Sequence, residues 1–204
     1  MIKIKRKTLL EFIIIALIII FAAIHLNKLV QNYNISSLFY EVGDSIDSLN
    51  DVNVYYNGKV GNVIGRNLSN DGYNLGQKYQ CVEFVKRYYY EYYKHKMPNS
   101  YGHAKDFFDI KLRDGQMNKS RNLLQYENPS MTVPKAGDLL VYSGTLVNPY
   151  GHVSIVAEVR DGEIEIIQQN PGVFRKTRRV FKVEKQNGKW EIKNNRIIGW
   201  LRKG

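Results

Sequence analysis

The sequence predicts an α+β domain, N-terminal helices packed on an antiparallel β-sheet, preceded by a single N-terminal transmembrane helix. Three observations carry this expectation. An apolar run stands behind a basic N-terminus, a helical pattern follows a lone cysteine, and short β-prone runs separated by Gly-containing turns fill the remainder. With 204 residues, 44% of them hydrophobic, the chain can build one domain with a real core once the apolar run is set aside.

The formal net charge of +11 favours anionic surroundings such as lipid headgroups or cell-wall polymer. No helix-turn-helix, zinc-knuckle or RNP-like motif is present, so no nucleic-acid partner is expected. Cys81 is the one cysteine, which rules out an intrachain disulfide and leaves a free thiol.

Residues 1–8 read as a cytoplasmic basic tail and residues 9–29 as the anchor, with an uncharged core between Glu11 and His25. Ala22-Ala23 makes a poor cleavage site, so the anchor is expected to stay. Basic residues concentrated before it place the N-terminus in the cytoplasm and the domain outside, as a single-pass membrane protein. Residues 30–48 read as a stalk, and 49–204 as the domain. Residues 52–56 alternate, and Asn57-Gly58 is a hairpin turn into residues 59–64. Asn70-Asp71-Gly72 is another turn. Its single carboxylate is too few for calcium, and neither metal nor cofactor is expected.

Cys81 opens a helix expected to run to about residue 94, with Val82, Val85, Tyr89 and Tyr92 on one buried face. Free N–H groups of a first turn favour thiolate over thiol, so the backbone itself would activate this cysteine. Tyr88, Tyr89, Tyr90, Tyr92 and Tyr93 read mainly as core packing. A second short helix is expected over residues 103–112. Residues 139–142 are apolar without alternation, a central strand covered on both faces, with Asp138 ahead of it as a turn device. His152 opens a strand after Gly151, and Asp161-Gly162 turns it into residues 163–170. Alternation there puts Ile164, Ile166, Gln168 and Asn170 on one face. Residues 175–182 are a basic, β-prone stretch, and 190–192 and 197–201 read as closing strands.

The ordered set Gln80-Cys81-Val82-Glu83-Phe84, Lys135-Ala136-Gly137-Asp138-Leu139-Leu140-Val141-Tyr142, Gly151-His152-Val153-Ser154-Ile155-Val156 and Ile166-Ile167-Gln168-Gln169-Asn170 resembles a CHAP domain, a cysteine, histidine-dependent amidohydrolase/peptidase. Within that family it is most similar to the amidase half of bifunctional glutathionylspermidine synthetase/amidase. The resemblance implies a papain-like CHAP fold and amide hydrolysis through a thioester, with Cys81 as nucleophile and His152 as base. It further implies that Gln168, where close relatives place a glutamate, or Asn170 orients His152. Gln80 would help receive the oxyanion, and Lys86 and Arg87 would meet a substrate carboxylate, unless they are solvated helix surface. The substrate would be a peptide or peptide conjugate, either in peptidoglycan or like glutathionylspermidine. With no charged residue at 168, a catalytically silent binding module at the cell envelope is the alternative.

Overall fold

The computed structural model describes residues 6–32, 39–172 and 175–204. Parts of the expected basic tail (1–5) and stalk (33–38) lie outside the described residues. A helix, α1 (Arg6–Asn32), occupies the stretch expected as an anchor. Among the described residues, however, no helix is long and apolar enough to cross a membrane. The uncharged core between Glu11 and His25 would rise only about 20 Å at 1.5 Å per residue, short of the roughly 30 Å hydrocarbon layer. The expected transmembrane helix, the single-pass localisation and the bilayer as a partner are corrected accordingly.

The expected packing of several N-terminal helices on the sheet is corrected as well, because the molecule is mostly antiparallel sheet. In chain order, β1 (Ser45–Leu49) and β2 (Val52–Tyr55) form one hairpin, and β3 (Arg66–Leu68) and β4 (Asn74–Gln77) a second. Then come α2 (Cys81–Glu91), a 3-10 turn (Ala104–Phe107), β5 (Gln116–Asn118), β6 (Leu123–Glu127) and β7 (Leu139–Tyr142). They are followed by β8 (His152–Arg160), β9 (Glu163–Ile167), β10 (Arg178–Gln186), β11 (Lys189–Ile192) and β12 (Ile197–Arg202). The last eight strands form one sheet in the order β11-β10-β9-β8-β7-β12-β6-β5, antiparallel throughout.

Two local expectations shift. The N-terminal hairpin turns at Asn50-Asp51, both with positive φ (49° and 64°), and pairs β2 with the chain before it. Asn57-Gly58 instead starts a loop, because the Asn57 side chain donates to the carbonyls of Lys59 and Val60 and holds the backbone off any ladder. The second helix expected over 103–112 contracts to the 3-10 turn, which buries only Ala104 and Phe107.

The central strand β7 is buried at every residue, as its unbroken apolar run requires. On one face of the sheet α2 lays Phe84, Val85, Tyr88 and Tyr89 against Leu139, Val141, Val153, Ile155 and Ile167. The opposite face packs Leu140, Val156, Ile164, Ile166, Phe181 and Ile192 around Trp200. Helix α2 is not buried along one stripe. Glu83, Lys86 and Arg87 are enclosed too, whereas Tyr92 is 48% exposed, because β2 and β4 flank the helix on the sides away from the sheet.

Trp200 is fully buried, with its ring 5.9 Å from that of Tyr126. Replacing it by alanine removes the largest side chain of the second core, and Trp200→Ala is expected to lower stability by about 3–5 kcal/mol in urea denaturation.

Candidate active site

Cys81 is the first residue of α2, after Gln80 in an extended conformation (φ −83°, ψ 161°). Packing of α2 on β8 sets its thiol against the backbone of Val153, the residue after His152. The thiol thus lies against the backbone that directly follows His152, seventy-odd residues along the chain. Among the described residues no hydrogen bond joins sulfur and imidazole, as is common before substrate tightens such contacts.

His152 opens β8 opposite Tyr142 of β7, their rings 5.5 Å apart. Gly151 just before it has φ +76°, and a Cβ there would sit 2.5 Å from the Tyr142 carbonyl oxygen. Only glycine lets the chain turn so close to β7 and present the histidine.

The imidazole's orientation follows from one amide. Gln168 is buried, and its Nε2 donates to the Lys176 carbonyl at 2.9 Å, which fixes its Oε1 as acceptor. That Oε1 stands 2.9 Å from His152 Nε2, so Nε2 carries the proton and Nδ1 keeps its lone pair.

Burial governs both titrations. Desolvation pushes the Cys81 thiol up to about 11, although the backbone at Val153, Val82 and Cys81 itself pulls the other way. The helix start therefore does not win against the loss of water, even though the side chain keeps partial solvent contact. Desolvation lowers His152 to about 4, opposed by its Gln168 hydrogen bond and reinforced by the nearby Arg196 and Arg175 guanidinium groups. Near neutral pH both the thiol and the imidazole are therefore uncharged.

The other expected residues are placed differently. Gln80 Nε2 donates to the carbonyls of Asn62 (2.8 Å) and Val60 (3.2 Å), so both of its amide hydrogens are engaged. Asn170 (φ +52°) turns away from His152 and donates to Gln80 Oε1 at 2.7 Å and Val60 O at 2.8 Å. Lys86 is buried and donates to the carbonyls of Asn74 and Ser100, and burial lowers its pKa to about 7. Arg87 is bound to Glu83 Oε1 at 2.6 Å and to Asn53 O at 2.8 Å under the Tyr55 ring. Gln168 is thus the residue brought to His152.

Two residues without an expected role hold the site together. The Glu83 carboxylate, 1% exposed, accepts from Arg87, from Asn67 Nδ2 at 2.8 Å and from Gln169 Nε2 at 2.8 Å. Gln169 also donates to the Gln80 carbonyl at 3.0 Å and accepts from the Tyr55 N–H at 2.7 Å. It therefore ties the segment carrying Gln168 to the residue preceding Cys81. The i,i+4 spacing of Glu83 and Arg87 was a visible signal; nothing local pointed to Gln169. Beside these residues a small cleft of about 70 Å³ opens to solvent, walled by Tyr55, Tyr56, Asn57, Asn170, Arg175 and Thr177 among others.

A free thiol at a helix start thus packs against the backbone one residue after a histidine whose imidazole is held through Nε2 by Gln168. Residues 70–170 match the family model of the CHAP domain. The chain is 29% identical over 148 residues to the bifunctional glutathionylspermidine synthetase/amidase of Escherichia coli (strain K12), an overlap of 67% of this chain and 23% of that protein. It is also 29% identical over 133 residues to trypanothione synthetase of Crithidia fasciculata, covering 63% of this chain and 20% of that protein. It spans less than a quarter of the length of these curated relatives. Among solved structures, a wild-type endolysin LysIME-EF1 aligns with a TM-score of 0.37 at 20% identity, over 70% of this chain and 60% of that one. Ly7917 aligns with a TM-score of 0.27 at 27% identity, over 36% and 29%. Neither structural likeness is close enough to argue from.

With the thiol at about 11, roughly one in 10⁴ is ionised at pH 7. Iodoacetamide is therefore expected to label Cys81 more slowly than free cysteine at pH 7, the rate climbing about tenfold per pH unit up to pH 10. Faster labelling than free cysteine at neutral pH would mean a preformed thiolate.

Proposed function

We propose that this chain is a cysteine amidohydrolase that cleaves an amide bond in a peptide or peptide conjugate, either a peptidoglycan peptide or a glutathionylspermidine-like substrate. The carrying observation is the Cys81 thiol against the start of β8 while Gln168 holds His152 by Nε2, leaving Nδ1 as the only ring nitrogen able to accept a proton. The CHAP domain and the amidase relative support the same reaction.

In this mechanism Cys81 Sγ attacks the carbonyl carbon as its proton passes to His152 Nδ1. The imidazolium returns that proton to the leaving nitrogen, and the amine departs. Water, deprotonated by the same nitrogen, then hydrolyses the thioester. The first-turn N–H groups of Cys81 and Val82 already lean toward the sulfur and would receive the oxyanion. Gln80, its amide hydrogens engaged by Val60 and Asn62, shapes this turn instead of donating to it. Gln168 acts as a positioning residue. It fixes the tautomer but brings no charge to steady the imidazolium, so proton transfer and attack occur together.

Two measurements test the proposal. Cys81→Ser and Cys81→Ala should abolish hydrolysis of cell-wall material and of glutathionylspermidine, and retained cellular function in Cys81→Ser would favour the silent binding module. Because His152 titrates low, kcat/KM should hold as pH falls from 7 to 5 and decline only near pH 4, where the base becomes protonated. Gln168→Ala should cost roughly 10²-fold in kcat. Gln168→Glu, by placing a carboxylate on Nε2, should raise the acid limb toward pH 6 or above.

A further inference from the structure

The chain just past β9 grips both halves of the site with adjacent side chains. Successive residues of an extended segment face opposite ways, and here Gln168 turns to His152 while Gln169 turns to the start of α2. Gln169 is fully buried with every polar atom engaged. Its Oε1 accepts from the Tyr55 N–H at 2.7 Å, and its Nε2 donates to Glu83 Oε2 at 2.8 Å and to the Gln80 carbonyl at 3.0 Å. Its partners fix the direction of the amide. Tyr55 offers a hydrogen and the other two offer only oxygens, so a flipped amide would set oxygen against oxygen twice.

The bond to Gln80 has a directional consequence. The Gln80 carbonyl also accepts from the Phe84 N–H at 3.2 Å, so both of its lone pairs are held. A carbonyl and the N–H that follows it belong to one planar trans peptide and point in opposite directions. Fixing the Gln80 carbonyl therefore fixes the Cys81 N–H, which stands first in α2, has no intrahelical acceptor and points out of the helix start. The Phe84 bond alone would let this peptide rock about its flanking torsions. A second bond, from a side chain itself held at Tyr55 and Glu83, removes that freedom.

We propose that Gln169 is a positioning residue for the oxyanion: by holding the Gln80 carbonyl it aims the Cys81 N–H at the substrate oxygen that becomes negative. The inference rests on the hydrolase reading and deepens it. Gln168 decides which nitrogen of His152 takes the proton, and Gln169 decides where the first oxyanion donor points. Because the two are neighbours in one segment, base and donor keep a fixed relation to each other. A donor preset in direction needs no reorganisation when charge develops, which is where such bonds lower a barrier. The uncharged substrate gains little from it, so the effect belongs in kcat and not in KM.

The test exchanges two side chains. In Glu83→Gln/Gln169→Glu the oxygen at position 83 still accepts from Asn67 and from Arg87 Nε, the amide nitrogen at 83 donates to the carboxylate at 169, and that carboxylate still accepts from Tyr55. Net charge is unchanged. The bond lost is the one to Gln80, together with a 3.4 Å contact between Arg87 Nη2 and Glu83 Oε2. The kcat for glutathionylspermidine, or the rate on cell-wall material, should fall about 10²-fold with KM within about threefold of wild type. Iodoacetamide should label Cys81 at the wild-type rate and the urea midpoint should hold, since neither measurement involves an oxyanion. Gln169→Leu, which keeps the side chain's bulk, should lose kcat to the same extent while labelling is retained. By solution NMR, the N–H residual dipolar coupling of Cys81 should change in the exchanged protein while those of Val85 and Tyr89, further along α2, stay as they were. Wild-type kcat in both variants overturns the proposal, as does an unchanged Cys81 coupling or a loss of kcat matched by an equal loss of labelling. If the wild type hydrolyses neither substrate, the hydrolase reading has failed and the coupling alone decides whether Gln169 aims the Cys81 N–H.

Discussion

One buried carboxylate holds the architecture of the site. Glu83 sits one turn into the cysteine helix with no water to solvate it, and its oxygens are occupied by Arg87, Asn67 and Gln169. Through these contacts α2 is joined at once to β3 and to the chain after β9. A charge buried this deeply is tolerable only when such bonds satisfy it, so the three segments cannot drift apart without exposing an unpaired ion to hydrocarbon. The start of the cysteine helix and the segment that holds His152 are fixed relative to one another by that constraint, because Cys81 begins the helix that Glu83 pins and Gln168 neighbours the residue that Glu83 holds.

The same burial that fixes the geometry sets the chemistry. Desolvation raises the thiol and lowers the imidazole, moving both groups toward neutrality. An amide hydrogen bond at Nε2 decides which ring nitrogen is basic without adding charge. Both groups are thus uncharged near neutral pH.

Much of the fold was legible. The apolar run of β7, the Asp161-Gly162 turn between β8 and β9, and His152 at a strand mouth are local consequences of residue type, and the structure has each of them. The start of α2 at Cys81 was equally readable from the pattern that follows it. Errors arose where local signals competed. Asn57-Gly58 has hairpin chemistry, but its side chain found loop carbonyls and the neighbouring Asn50-Asp51 made the turn. Hydrophobic runs alone also overstated the N-terminal helix as a membrane span.

The sequence by itself singled out Cys81 and His152 as candidates for reactive chemistry and put Gln168, by alternation, on a face with access to His152, where the structure has it hydrogen-bonded to the ring. Tertiary structure decided what those residues can do. Lys86 and Arg87 were read as surface or substrate contacts, yet packing of β2 and β4 over α2 turned them inward. Asn170 shared a predicted face with Gln168, but a positive φ beyond the end of β9 swung it to Gln80. The ionisation of Cys81 was likewise out of reach of sequence. A helix start favours thiolate within one turn of chain, whereas the loss of water that opposes it comes from β8, some seventy residues away.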